Sequence, residues 1–246
     1  MDTAEFVDIL RREGALLAAA AEAAGPDAKV PPCPDWQVRD LLRHTGAVHR
    51  WAARFVAEGI TEPRPIDAEP ELDGAELLHW YRDSHRHLVD TLAAAPADAP
   101  AWTFLPAPGP SPLAFWARRQ AHETAIHRYD AECARGGTPT PIGTRFAVDG
   151  IDELLRGFHA RPKSRVRTEE PRVLRVRATD TDDAVWTVRL SAEPPVTVRG
   201  ESSEAETELA GPAEQLYLAL WNRGPVPSVT GDRATALLWQ EKSAIV

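Results

Sequence analysis

The chain has 246 residues, 43% of them hydrophobic and 26% charged, and carries a formal net charge of −9. This is a globular mixture, without the low hydrophobicity that keeps chains disordered, and its length allows one large domain or two ordinary ones. The acidic balance and the lack of any Lys/Arg block of five or more exclude a phosphate-backbone binder, and no run approaches the roughly 18 apolar residues of a membrane span, so neither nucleic acid nor membrane is expected as a partner.

The first predicted helix runs from about Thr3 to Ala24 and stops at Gly25-Pro26. It has acids near its start and arginines inside its apolar stretch, unlike the basic and then apolar regions of an export signal, so the expected compartment is the cytoplasm. Cys33 and Cys133, with no CxxC, fit that reducing setting and read as unreactive thiols. A second helix follows Cys33-Pro34, with Asp35 as the expected N-cap and apolar residues at Val38, Leu41, Leu42, Val48, Ala52, Phe55 and Val56, and it ends near Gly59.

The third helix opens with Asp73 and Glu76 at capping-box spacing, and Leu77, Tyr81, Leu88 and Leu92 share one face. In the fourth, Ser111-Pro112 is the N-cap and first-turn pair, and Gly136-Gly137 marks the end near Arg135. Four helices of this length call for an all-α four-helix bundle over residues 1–140.

Beyond the proline-punctuated linker at Thr138–Pro141 the texture changes to an α+β domain, residues 141–246. A helical stretch at Val148–His159 precedes alternating runs such as VLRVRAT, AVWTVRLS and PVTVRG, which read as strands. A helix is expected at Gly211–Trp221 and another at Arg233–Glu241.

Chemistry concentrates in the fourth helix. In AHETAIHRYDAE, Glu123 and His127 project from the same face as Trp116, Gln120 and Thr124. A carboxylate in a bundle-facing stripe calls for a partner, and a Glu and a His four residues apart can converge on one metal ion or bond each other across a turn. A third ligand could come from the second helix, where the wheel puts His49 near the centre of the apolar arc and His44 on its edge; periodicity leaves the choice open. His79, His85, His87, His122 and His159 read as solvated or capping groups, and Arg119 and Arg128, which flank the ligand face, as solvent-facing arginines that could alternatively hold an anion.

DW-x7-H on the second helix followed by HE-x3-H on the fourth resembles the mycothiol-dependent maleylpyruvate isomerase family, which belongs to the DinB-like metal-binding bundles. The resemblance extends to the C-terminal part, where AGPAEQLYLALWNR and VTGDRAT look like the end of that family's sterol-carrier-like domain. It implies His44, Glu123 and His127 as ligands of one divalent metal, zinc first, because counting from Trp36 selects His44 over His49. It further implies mycothiol as thiol cosubstrate, added to an electrophilic small molecule in isomerisation or S-transfer. Two other readings stay open: a hydrolase using metal-bound water, and a non-catalytic binding or regulatory protein.

Overall fold

A computed structural model of the chain describes residues 1–105, 109–201 and 204–245. The contacts divide it into two compact units, one from Met1–Phe104 together with the run ending at Thr140, the other from Pro141 onward together with Leu105.

The first unit holds four long helices, α1 (Thr3–Ala24), α2 (Val38–Ala57), α3 (Gly74–Ala94) and α4 (Pro112–Arg135). Their ends follow local capping chemistry. Asp2 and Glu5 exchange side-chain-to-backbone hydrogen bonds of 2.9 and 2.7 Å at the start of α1, and Ser111 Oγ accepts from Ala114 N ahead of Pro112 at the start of α4. The start of α2 differs from the expectation that Asp35 caps it. Backbone bonds from Val30 N to Trp36 O and from Val38 N to Ala28 O hold Asp35-Trp36 in a turn. Gln37 becomes the cap, its N–H donating to Asp40 at 2.9 Å.

Helix α1 packs along α4 and α3, and α2 along α3 and α4. Leu10, Leu17, Leu41, Leu77, Tyr81, Leu88 and Trp116 fill the interior, each apolar side chain of this kind stabilising by roughly 1.5–3 kcal/mol. At Gly46 a Cβ would lie 2.1 Å from the Trp80 ring, so the glycine is what lets α2 and α3 approach. A buried charge network crosses this core. Arg128 is fully buried, donating through Nε to Glu13 at 2.7 Å and through Nη1 to Glu132 and to the Thr140 carbonyl, both at 2.7 Å. The expected solvent-facing arginine is therefore wrong here: two carboxylates, one of them from α1, compensate its burial.

In the second unit, α5 (Thr144–Glu153) continues into a π-helical turn, Leu154–Phe158. Strands β1 (Arg172–Ala178), β2 (Val185–Leu190), β3 (Val196–Arg199), β4 (Thr207–Gly211) and β5 (Ser228–Gly231) follow, with α6 (Ala213–Leu220) and α7 (Arg233–Lys242). They form one sheet in the order β3-β2-β1-β4-β5, mixed because β1 pairs parallel with β4 while the other neighbours are antiparallel. Alternation puts Leu174, Val176, Trp186, Val188 and Leu209 on the buried face. Gly211 ends β4 instead of opening a helix, and Pro212 caps α6. Among the described residues no helix is long and apolar enough to cross a membrane.

Candidate metal centre

Helical spacing sets Glu123 and His127 one turn apart on α4, and α2 brings His44 across to them. Glu123 Oε1 lies 3.5 Å from His44 Nε2 and 3.3 Å from His127 Nε2. Among the described residues this is the one group of three metal-ligating side chains whose donor atoms all fall within 4.8 Å of one another. Ligand atoms held about 2.1 Å from a tetrahedral ion are separated by about 3.4 Å, so these two N···O distances match the spacing of a coordination shell. His44 and Glu123 keep 31% and 21% of their side-chain surface exposed, so the group is reachable from solvent.

Each imidazole shows Nε2 to Glu123 and Nδ1 to another carboxylate. His127 Nδ1 stands 3.0 Å from Oδ2 of fully buried Asp130, and His44 Nδ1 faces Glu69 Oε1 at 4.0 Å. The Asp130 hydrogen bond fixes the orientation of the His127 ring and raises its basicity as a ligand, whereas Glu69 stands beyond hydrogen-bond reach of His44. The thiol of Cys33 points at the same Asp130 oxygen from 3.7 Å. Trp36 stacks on His127 with centroids 5.8 Å apart and tilts against His44 at 5.0 Å, walling one side of the pair. The second oxygen of Glu123 accepts from Arg119 Nη2 at 3.2 Å. Arg119 is thus buried, not solvent-facing as its sequence position suggested.

The electrostatics favour a cation. Burial alone would push the Glu123 carboxyl up, but hydrogen bonds from His127 and His44, together with Arg119, hold it well below the usual carboxylate range. Burial likewise would lower His127, yet the Asp130 and Glu123 carboxylates bring it up to about 9. A field that retains a proton on His127 suits a divalent ion in the same place, with the proton released on binding.

His49 does not join the group. It is fully buried, its Nε2 is 2.9 Å from Thr124 Oγ1, and burial holds it well below the ordinary histidine range. Of the remaining histidines, His87 is exposed and His79 pairs with Asp83 at the surface. His122 and His159 are buried, contrary to expectation, and His85 Nε2 meets the Leu10 carbonyl at 3.0 Å. Burial raises the thiol of Cys133. Sequence reasoning passed over Asp130 and Glu69; Asp130 could have been found from its place three residues after His127, whereas Glu69 lies in the irregular segment between α2 and α3 and carries no local signal.

Two family models match the chain. Residues 7–132, which include all three clustered side chains, match the family model of the mycothiol maleylpyruvate isomerase N-terminal domain. Residues 145–238 match that of the MDMPI C-terminal domain. No curated protein and no solved structure matches the chain.

Proposed function

The chain belongs to the mycothiol maleylpyruvate isomerase family, and from that premise we propose that it is a metal-dependent enzyme that activates mycothiol for addition to an electrophilic small molecule. The observation that carries the reading is the solvent-reachable His44–Glu123–His127 cluster at tetrahedral spacing inside the matched N-terminal domain. In this reading the helical unit is a DinB-like four-helix bundle, the second unit a sterol-carrier-like domain, and the setting the reducing cytoplasm.

His44, Glu123 and His127 would hold one divalent ion, zinc in the first place, with a position left open for an exogenous ligand. Bound there, the ion supplies the positive charge that brings a thiol, with an ordinary pKa of about 8.5, to thiolate near neutral pH. Asp130 keeps His127 turned with Nε2 toward the centre, and Trp36 screens one flank from water. The thiolate adds to one carbon of an activated cis double bond, forming a C–S bond and placing the electron pair on the adjacent carbonyl system. Rotation about the resulting single bond and expulsion of the thiolate return the double bond as trans, with no net change in redox state. In S-transfer the same addition is completed by proton uptake at the carbon that received the electron pair, so that thiol and substrate stay joined.

The test is maleylpyruvate isomerisation by chelator-treated and zinc-reconstituted protein, each with and without mycothiol. Turnover only when both zinc and thiol are present is the expected outcome. Turnover with zinc and no thiol would replace this reading with one based on activated water.

A further inference from the structure

We infer that Arg119 is a positioning residue that keeps Glu123 a one-oxygen ligand and thereby keeps the metal's thiol position open. The inference rests on the metal centre proposed above and concerns how that centre is tuned. Glu123 divides its two oxygens. Oε1 faces both imidazoles, at 3.5 and 3.3 Å, whereas Oε2 is turned to Arg119 Nη2 at 3.2 Å.

Arg119 sits one helical turn before Glu123 on α4, with only 3% of its side chain exposed. A guanidinium at such a site is costly to bury unless its donors are used, and its fixed fork holds a carboxylate oxygen in a set direction better than a flexible ammonium would. A carboxylate with one oxygen on a metal and the other free can swing to bind through both. Doing so raises the coordination number and fills the position that an incoming ligand needs. Arg119 opposes this by occupying Oε2. Its positive charge also withdraws electron density from Glu123, leaving the ion more acidic toward the incoming thiol. Both effects favour thiolate capture, and neither is required for holding the metal itself.

The experiment uses the full-length chain loaded with Co(II), which reports coordination number through the intensity of its visible bands, and 2-mercaptoethanol as the probe thiol. Arg119→Met is compared with wild type and with Arg119→Lys; Arg119→Gln stands in should the Met variant fail to fold by circular dichroism. All folded variants are expected to keep one cobalt per chain. The neutral variants should lose visible intensity as the ion moves from four to five ligands, and bind the probe thiol about tenfold or more weakly, the scale of effect typical of groups behind a metal ligand. Arg119→Lys should recover most of both. Unchanged band intensity and thiol affinity in a folded neutral variant that holds cobalt would overturn the role of Arg119. Absence of stoichiometric cobalt in the wild type would instead overturn the metal centre, so the two failures are told apart.

Discussion

Replacing Asp130 by Asn should weaken metal binding without unfolding the helical unit. Asp130 is fully buried, and its Oδ2 lies 3.0 Å from His127 Nδ1, so it orients that imidazole and adds negative charge behind it. Asn keeps an acceptor of nearly the same shape but removes the charge. Losing a carboxylate partner behind a ligating histidine typically reduces metal affinity 10–100-fold, about 1.4–2.7 kcal/mol. Competition between metal-free protein and a chromophoric chelator for zinc reads this directly, and circular dichroism controls for folding. The same substitution should lower His127 from about 9 in the metal-free protein, since the hydrogen bond to the Asp130 carboxylate is the largest single contribution raising it. This shift can be followed by NMR titration of the imidazole. Zinc affinity equal to wild type in a folded Asp130→Asn protein would refute the reasoning.

Arg128→Met leaves Glu13 and Glu132 buried without their shared counter-charge and should destabilise the helical unit by about 3–5 kcal/mol in urea unfolding; a loss below about 1 kcal/mol would mean that the network is not energetically coupled. In the second unit, burial pushes His159 down to about 4, so between that value and 6.5 the unfolded chain binds the extra proton. Stability should therefore be complete above pH 6.5 and fall by roughly 3 kcal/mol as pH drops toward 4, a slope that His159→Gln should flatten in pH-dependent denaturation. Limited proteolysis should cut near residues 136–145, where Gly136–Thr138 are exposed, and release two fragments that keep their secondary structure; rapid loss of either would count against independent domains.

What was legible in the sequence was mostly what is local. The starts of α1, α3 and α4 and the stop at Gly136 rest on caps and glycines a few residues away, and they lie where the sequence puts them. The beginning of α2 was misread because its cap depends on a turn closed against residues 28–30. Strands β4 (TELAG) and β5 (SVTG) were missed because they lack the alternating β-branched run that marks β3, itself only four residues long, and pairing in the sheet makes them strands. Arg119 and Arg128 read as surface residues because an arginine with a carboxylate four residues on, Glu123 and Glu132 here, looks the same on a solvent-facing stripe; Glu13, which helps neutralise Arg128 from α1, is 115 residues away.

The histidines of α2 show what a helical wheel measures. It favoured His49 as the inward group, and His49 is indeed the fully buried one, bonded to Thr124. Periodicity reports burial, however, and the proposed centre, which would have to admit an exogenous ligand, would draw its donors from the rim of the apolar arc. His44 sits at that rim, 31% exposed, with its Nε2 toward Glu123. The count from Trp36 picked out the same residue by a route independent of burial, and the ring of Trp36 packs against it.

The most direct test of this account is the zinc content per folded chain of His44→Ala and His49→Ala, purified and reconstituted side by side. His49→Ala should keep about one zinc, losing only the Thr124 contact and some packing. His44→Ala should lose most of it, because one of three ligands is gone. Retention of zinc by His44→Ala together with its loss from His49→Ala would contradict the assignment of the centre to His44, Glu123 and His127.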